Sequence, residues 1–404
     1  MRRGAADERT EAGVLHPRTP AGYFGQGEGK DVSISSEEEL AAVIRGTTVP
    51  FRIKGGGTRD VGRPGAGEAL DVSGIAGIRL YEPGALTLVA AAGTPLAEVE
   101  AVLAAEGQRL AFEPADWRGL LGTAGEPTLG GMVAANVSGP RRVQAGACRD
   151  ALLGVRFVDG TGTVVKNGGR VMKNVTGYDL VKLMAGSWGT LGVLTEVSLK
   201  VLPAPEAAAV LVLDGLDEAR AVRAMTAALG SPFDVTGAAH GDMGTVVRIE
   251  GFAQSVAYRA ERLASLLATV GPVRVERDAR SAAALWCAVR DVAPFHEVPG
   301  DVWRLSVRPS EATALVARAW QVAGARGALY DWGGGLVWLL LPEGEDLRAR
   351  LGPFNGHATL FRADAATRTR IAAFPPEPAP VAALAAGIRA KFDPRGILNP
   401  GLMG

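Results

Sequence analysis

The sequence has little cysteine, little histidine and no excess of charge. Its 404 residues include two cysteines and four histidines, and 43 basic side chains balance 43 acidic ones. Cys148 and Cys287 cannot supply the four ligands that an iron–sulfur cluster or a cysteine-rich zinc site needs, and they are too few for a disulfide framework. We therefore expect a reducing, cytoplasmic location, and the balanced charge argues against a general nucleic-acid surface.

Long apolar runs are also missing. No segment approaches the roughly 18 apolar residues of a membrane-spanning helix, and the longest runs, Leu86–Ala92 and Leu336–Leu341, have the length of strands. Residues 1–29 are polar and glycine-rich, and they lack the apolar block of a secretory signal. These residues are predicted to form a loose N-terminal tail.

Several familiar binding motifs are absent, whereas glycine is abundant. The chain has no G-x-G-x-x-G fingerprint, no G-x-x-x-x-G-K-[ST] phosphate loop, no H-E-x-x-H and no G-x-S-x-G. Its 54 glycines are about twice the usual share of roughly 7%. Two clusters, Gly55-Gly56-Gly57 and Gly130-Gly131, each adjoin an apolar segment. Glycine amides can form nests for oxyanions, so two such loops could grip a diphosphate; a tight turn is the alternative for each cluster.

The order of elements divides the chain into a tail and three segments. Residues 30–204 contain short strands and helices around the two glycine clusters, beginning with a helix capped by Ser36. Residues 205–345 begin with the order β-α-β-β-α-β, which is typical of a ferredoxin-like unit. Residues 346–404 contain a proline-rich stretch and a C-terminal helix. The sequence shows no internal repeat.

Nine short motifs follow one another along the chain and together resemble a known family. They are Gly55-Gly56-Gly57-Thr58, Asp71 with Gly77-Ile78, Ala92-Gly93-Thr94-Pro95-Leu96, Thr128-Leu129-Gly130-Gly131, Gly139-Pro140-Arg141-Arg142, Gly146 with Arg149-Asp150, Val171-Met172-Lys173-Asn174-Val175-Thr176-Gly177-Tyr178-Asp179, Gly186-Ser187-Trp188-Gly189-Thr190-Leu191-Gly192-Val193, and Phe392-Asp393-Pro394 with Leu398-Asn399-Pro400-Gly401. This series resembles the FAD-binding domain of the vanillyl-alcohol oxidase superfamily. Within that superfamily, the fifth and seventh motifs are similar to the smaller FAD-binding subunits of bacterial glycolate oxidases.

The resemblance implies a fold and a set of cofactor-binding residues. The fold is α+β, with a two-lobed FAD-binding domain of the PCMH type, a ferredoxin-like cap domain and a C-terminal segment that returns to the flavin. Carried over by position, the residues that bind FAD are Gly55, Gly56, Gly57 and Thr58 in the first loop, Thr128, Leu129, Gly130 and Gly131 in the second, Ala135, Ser138, Gly139, Gly192 and Val193 along the cofactor, and Asn399 near the flavin ring.

The resemblance also bears on how FAD is attached and on partners. Many relatives bind FAD covalently through a histidine in or near the first loop, but this chain has Thr58-Arg59 there and no histidine between His16 and His240. We therefore predict that FAD is bound non-covalently. The family implies a larger FAD-containing subunit and an iron–sulfur subunit as partners, a small 2-hydroxy acid as substrate, and contact with a membrane only through the complex.

Oxidation of a 2-hydroxy acid needs a base for the hydroxyl and a cation for the carboxylate, and the sequence identifies neither with certainty. His240, His296 and His357 are not spaced as metal ligands, so we expect no metal site. His240 is interpreted as a turn histidine, with a metal ligand as the alternative, and His357 as a packing histidine. The catalytic residues are therefore unknown. This chain either oxidises the hydroxy acid itself or is an accessory flavoprotein that transfers electrons or scaffolds the complex; a standalone FAD-dependent alcohol oxidase is a further alternative.

Several other arginine and aromatic side chains can be interpreted in two ways. Arg141 and Arg142 either neutralise FAD phosphates or contact a partner, or they are a solvated pair of charges. Trp332 and Trp338 either face the flavin or belong to a core or an interface. The pair Tyr178-Asp179 is interpreted as a tyrosine that could hydrogen-bond near the flavin ring, followed by a helix cap.

Overall fold

The computed structural model describes residues 31–170 and 177–403. The predicted tail of residues 1–29 and the motif stretch Val171–Thr176 lie outside these described residues. Within the described ranges, no helix is both long and apolar enough to cross a membrane. Two α+β regions follow each other along the chain and meet across a buried interface.

The smaller lobe of the first region is a three-stranded parallel sheet covered by one helix. Its elements are β1 (Val32–Ser33), α1 (Glu37–Gly46), β2 (Phe51–Lys54) and β3 (Glu68–Asp71), and the sheet order is β1-β3-β2. Helix α1 begins where the sequence predicts, because the Ser36 hydroxyl accepts a hydrogen bond of 3.1 Å from the Glu39 amide. Its apolar face packs with Phe51 and Leu70 of the sheet in one buried cluster.

The larger lobe is a five-stranded antiparallel sheet in the order β4-β5-β9-β7-β8, with short helices on its flank. Its elements are β4 (Ile78–Glu82), β5 (Thr87–Ala91), α2 (Leu96–Ala105), β6 (Gln108–Arg109), α3 (Arg118–Leu121), α4 (Leu129–Ala134), α5 (Arg142–Ala145), α6 (Cys148–Ala151), β7 (Leu152–Val158), β8 (Val164–Gly168), α7 (Leu180–Met184), β9 (Val193–Lys200) and β10 (Leu202–Pro203). The turn between β7 and β8 is set by Asp159, whose carboxylate accepts hydrogen bonds from the Thr161 and Thr163 amides at 2.8 and 3.0 Å. Asp179 caps α7 by accepting a hydrogen bond from the Lys182 amide, as predicted.

The second region is one eight-stranded sheet with helices packed on one of its faces. Its elements are β11 (Ala207–Leu213), α8 (Glu218–Leu229), β12 (Val235–Gly241), β13 (Gly244–Gly251), α9 (Ala253–Leu267), β14 (Arg274–Glu276), α10 (Ala279–Arg290), β15 (Asp301–Val307), α11 (Pro309–Ala323), β16 (Gly327–Asp331), β17 (Leu336–Leu341), α12 (Leu347–Leu351) and β18 (Gly356–Arg362). The spatial order is β14-β11-β13-β12-β16-β17-β15-β18. The predicted β-α-β-β-α-β unit is therefore present in its first half.

The second half of this sheet repeats the topology of the first. Strands β15, β16, β17 and β18, with α11 and α12, also follow the order β-α-β-β-α-β, and both units place their four strands in the same relative order. The units meet between β12 and β16, where His240 pairs with Tyr330. The sequence itself shows no repeat, because the two halves share a topology and not a motif. The sheet crosses the predicted boundary at residue 345, because β18 pairs along β15.

The open face of this sheet packs against the first region. Residues at alternate positions of a strand point to the same face, and on this face Val302, Trp338, Leu340 and Phe361 join one buried cluster with residues of the larger lobe. The Trp117 and Phe361 rings meet edge to face with centroids 4.6 Å apart. The two regions are thus held together by a shared apolar core.

The chain then returns to the smaller lobe. Helices α13 (Ala365–Arg370) and α14 (Ala379–Phe392) follow the sheet, and α14 has no fully buried side chain. Beyond it, Leu398 forms a parallel bridge with Phe51, and the Asn399 amide donates to the Phe51 carbonyl at 2.9 Å. Residues near the C-terminus therefore extend the edge of the first sheet.

Candidate functional site

A cavity of about 610 Å³ is lined by residues of both lobes of the first region. Both glycine clusters lie in its wall, together with Asn399 from the end of the chain. Of the predicted cofactor residues, the ones that line it are Gly55, Gly56, Gly57, Thr58, Thr128, Gly130, Gly131, Gly192, Val193 and Asn399. The fold thus brings ten residues from four parts of the sequence to one space.

The first glycine cluster is a loop in which side chains have no room. A Cβ atom on Gly56 would lie 1.6 Å from the Glu126 carbonyl oxygen, and one on Gly55 would lie 2.6 Å from the Thr128 hydroxyl. Gly57 has a φ of +70°, which favours glycine. Glycine is therefore needed at these positions, because the loop lies in close contact with residues 126–128.

The same loop offers unused hydrogen-bond donors. Among the described residues, the backbone amides of residues 55–59 have no acceptor. Arg59 lies beside them, with its guanidinium 5.7 Å from the Trp117 ring centroid and its Nε atom buried without a partner in the described chain. Burial lowers the pKa of Arg59 to about 10, so it stays protonated at neutral pH. Free amides and a buried cation in one loop are the donors that an oxyanion such as a diphosphate requires.

The second glycine cluster is organised differently from the predicted nest. The amides of Leu129 and Gly130 donate to the carbonyls of Thr94 and Ala92 at 2.9 and 2.6 Å, and the Gly131 amide donates to the Thr128 hydroxyl at 3.3 Å. These three donors are already used: Thr128 caps helix α4 through the Gly131 amide, and backbone carbonyls accept from the other two. The cluster is glycine for packing, since a Cβ on Gly130 would lie 2.8 Å from the Ala92 side chain.

Four predicted cofactor residues are not part of the cavity wall. Leu129 is fully buried in the core, and Ala135 forms the C-cap of helix α4. Ser138 and Gly139 instead lie at the border with the second region: the Ser138 hydroxyl accepts from Arg142 of the same region at 2.9 Å, and the Gly139 carbonyl accepts from the Trp332 indole of the second region at 3.0 Å. The loop of Ser138 and Gly139 thus links the first region to the sheet.

Asn399 closes one end of the cavity. It has a φ of +45°, its side-chain oxygen accepts from the Ile53 amide at 2.7 Å, and its side-chain nitrogen donates to the Trp188 carbonyl at 2.8 Å. A Cβ on Gly189 would lie 2.8 Å from that nitrogen. Asn399 therefore joins three segments at the cavity, and its side chain positions the wall.

Where the two regions meet, five charged side chains form what we term the paired cluster: Arg109, Glu113, Arg141, Arg248 and Glu250. Arg248 donates two hydrogen bonds of 2.7 Å to the Glu113 carboxylate, and Glu250 accepts from Arg109 at 2.9 Å. Arg141, only 3% exposed, lies between the Glu113 and Glu250 carboxylates. Arg141 is therefore neither a solvated charge nor a ligand of the cavity.

The charges of the paired cluster determine the pKa of Glu250. Burial raises this pKa, but the charges of Arg248, Arg141 and Arg109 and a hydrogen bond from Thr236 lower it to about 2. Glu250 is thus ionised throughout the neutral range, and the cluster holds two carboxylates among three guanidinium groups.

The same interface contains a second group of side chains, which we term the open cluster. It consists of three charged residues and one aromatic residue: Arg142, Arg304, Asp331 and Trp332. The guanidinium carbons of Arg142 and Arg304 lie 4.8 and 5.3 Å from the centroid of the Trp332 ring. Within residues 31–170 and 177–403, neither arginine has a carboxylate within 4.0 Å. Asp331 accepts from the Trp332 amide at 2.7 Å, and burial raises its pKa to about 7. Trp332 and Trp338 are both interface residues.

The remaining candidates lie away from the cavity. Tyr178 is 89% exposed, which places it on the surface. His240 lies in strand β12 and not in a turn, and its Nδ1 is 2.9 Å from the Thr245 hydroxyl. His357 is exposed on β18, so the expected packing role does not hold. Among the described residues, no group of three histidine, cysteine or carboxylate side chains could hold a metal ion.

Comparison with known proteins shows which family the chain resembles. A family model described as an FAD binding domain matches residues 31–168. Glycolate oxidase subunit GlcE of Escherichia coli (strain K12) is 37% identical over 377 residues, which cover 92% of this chain and 97% of that protein. A D-lactate dehydrogenase of Anaerostipes hadrus is 34% identical over 190 residues, covering 45% of this chain and 38% of that protein. A solved structure of alkyldihydroxyacetonephosphate synthase, 18% identical, matches 91% of this chain and 75% of its own with a TM-score of 0.67, and shows a shared fold alone.

Proposed function

This chain belongs to the same family as the glycolate oxidase subunit GlcE, and we propose on that premise that it is the FAD-binding subunit of a complex that oxidises glycolate or a similar 2-hydroxy acid to the 2-oxo acid. FAD supplies the hydride acceptor for such a reaction. The observation that carries the proposal is the loop of residues 55–59, whose free amides and half-buried arginine line a cavity large enough for part of a dinucleotide.

The residues of the cavity divide the work of holding FAD. The amides of the Gly55–Arg59 loop bind the diphosphate, and the Arg59 guanidinium offsets its charge. Thr128 and helix α4 form the opposite wall, where Gly130 lets the backbone lie close to Ala92. Asn399, tied to β2, keeps the end of the cavity closed to water. Ser138 and Gly139 extend the site from the cavity toward Trp332.

FAD is bound without a covalent bond. Among the described residues that line the cavity, none is a histidine, a cysteine or a tyrosine, the side chains that could attach a flavin. Thr58 and Arg59 occupy the first loop instead. Acid precipitation of the purified protein should therefore release all of the yellow cofactor into the supernatant, and colour that stays with the precipitate would contradict the proposal.

The electrons leave through partner subunits. Of the two cysteines, Cys148 is buried and Cys287 is exposed in a distant helix, so this chain offers no ligand set for an iron–sulfur cluster in its described part. A larger FAD-containing subunit and an iron–sulfur subunit are accordingly part of the proposed complex.

The decisive test of the binding site is Gly56→Ala. A Cβ at this position overlaps the Glu126 carbonyl, so the loop must move and its amides lose their arrangement. We expect the ratio of flavin to protein absorbance after purification to fall at least about tenfold. The matched control is Gly46→Ala at the end of α1, where a Cβ meets no atom within 4 Å. Full flavin content in a folded Gly56→Ala protein would refute this site.

A second candidate function is that of an accessory flavoprotein that transfers electrons without oxidising the acid. It is favoured by the position of the described histidines, since His240, His296 and His357 all lie outside the cavity wall. Anaerobic mixing of the purified chain with glycolate distinguishes the two functions. Bleaching of the flavin by glycolate supports catalysis by this chain, and bleaching only after the partner subunits are added supports the accessory role.

A further inference from the structure

We propose that Arg142 and Arg304 of the open cluster bind the carboxylate of the 2-hydroxy acid, with Trp332 as the wall of the subsite. This inference rests on the proposed function for the identity of the substrate. Arg304 lies in none of the nine motifs, and Arg142, in the fifth, is given no substrate role by them. Its starting point is two arginines that meet at one indole ring without an anionic partner in the described chain.

Arg304 is the less expected of the two charges. It lies on β15, opposite Trp338 of β17 and Thr359 of β18, on the face of the sheet that packs against the first region. Its contacts within the described chain are with the rings of Trp332 and Trp338, at 5.3 and 5.8 Å, and no hydrogen-bond acceptor reaches it there. Arg304 is half-buried, and a guanidinium group that loses part of its hydration without gaining a protein acceptor favours the binding of an anion.

Arg142 approaches the same ring from the other region. It lies in α5, and its one hydrogen bond is donated to the Ser138 hydroxyl. Its remaining donors are therefore available, and they come from a different domain than those of Arg304. An anion between them would be held by both regions at once.

The open cluster is joined to the proposed flavin site through two short links. Arg142 contacts Ser138, and the Trp332 indole donates to the carbonyl of Gly139. The proposed function places Ser138 and Gly139 along the cofactor. A carboxylate held on the arginines would thus lie next to the cofactor, as a substrate that must give hydride to it requires.

The charge of the cluster selects the class of anion. The open cluster holds two guanidinium groups and one carboxyl group, Asp331, whose pKa is raised to about 7 by burial. The cluster is therefore cationic around neutral pH, and its planar guanidinium groups suit a carboxylate through paired hydrogen bonds.

Oxamate tests the inference, because it is a small monocarboxylate with no carbon-bound hydrogen to lose. Titration into the purified, flavin-containing chain should give a saturable change in tryptophan fluorescence and in the flavin spectrum. Arg304→Gln should weaken oxamate binding by about tenfold or more, since a hydrogen bond to a charged group is lost. Arg304→Lys, which retains the charge, should lose less affinity, and Arg142→Gln should also weaken binding.

The control is Arg308→Gln, four residues along the chain, whose side chain is 70% exposed. It should leave oxamate affinity unchanged. Oxamate affinity in Arg304→Gln within about twofold of the unmodified protein, no saturable binding at all, or tighter binding of inorganic phosphate than of oxamate would each overturn the inference. Flavin content separates this failure from failure of the proposed function: a chain that retains FAD but ignores oxamate refutes the subsite alone.

Discussion

The paired cluster and the open cluster lie in the same interface, but their arginines differ in whether a carboxylate pairs with them. In the paired cluster, Glu113 and Glu250 lie within 3.3 Å of the guanidinium groups they face. In the open cluster, Arg142 and Arg304 contact an aromatic ring and have no carboxylate at that distance in the described residues. A charge that is fully partnered within the protein stabilises the fold, whereas one that lacks a partner is available to a ligand.

The largest expected effect comes from removing a carboxylate from the paired cluster. Glu250→Gln leaves Arg141 and Arg248 buried with one anion fewer, and such a loss costs about 3–5 kcal/mol. Urea denaturation at pH 7 should show a correspondingly lower free energy of unfolding. Glu276→Gln, in the exposed pair with Arg274, is the control and should change it by less than about 1 kcal/mol. If both substitutions lowered the free energy of unfolding equally, burial of the paired cluster would make no difference to stability.

An intermediate effect, and one that depends on pH, is expected for Asp331→Asn. Burial raises the pKa of Asp331 from 3.8 to about 7, so the neutral carboxyl is favoured in the folded protein. That contribution to stability is fully present below about pH 4 and is lost as pH rises through about 7. Relative to the unmodified protein, Asp331→Asn should therefore gain stability between pH 5 and pH 8, by roughly 3 kcal/mol at most.

The measurement is the difference in urea midpoint between the two proteins at pH 5 and at pH 8. Asp242→Asn, at an exposed position, serves as the control and should give the same difference at both values. If the difference in urea midpoint for Asp331→Asn were the same at pH 5 and at pH 8, the pKa of the Asp331 carboxyl would not lie near 7.

The smallest expected effect is a gain in stability, in contrast to the loss expected for Glu250→Gln. Arg304→Met removes a charge without an anionic partner and fills the same space with an apolar chain, so the ligand-free protein should become more stable by about 1 kcal/mol. Arg308→Met at the surface should change stability by less than about 0.5 kcal/mol. Destabilisation by Arg304→Met would place Arg304 with the structural charges and remove the contrast between the clusters.

Local signals in the sequence predicted much of the first region. The Ser36 cap and the Asp179 cap depend on residues within a few positions of each other, and each forms as expected. The turn at Asp159 is equally local. The fold class and the family also followed from motifs that occur in order. The gathering of the two glycine clusters in one cavity was expected, but the used amides of the second cluster were not, since their acceptors Thr94 and Ala92 lie far back in the chain.

The interface could not be predicted in this way. The pairing of Arg248 with Glu113 joins residues 135 positions apart, and nothing in the sequence around either residue marks the other. The same is true of the meeting of Arg142 and Arg304 at Trp332. The second ferredoxin-like unit was missed for a related reason: strands β16 and β18 carry weak local patterns and are defined by the neighbours they pair with.

The return of the C-terminus has a consequence for biosynthesis. Asn399 and Ile53 are separated by 346 positions, yet their hydrogen bond forms part of the cavity wall. During synthesis this part of the wall forms only after residue 399 has been made, so a chain that stops short of Asn399 should hold FAD less tightly.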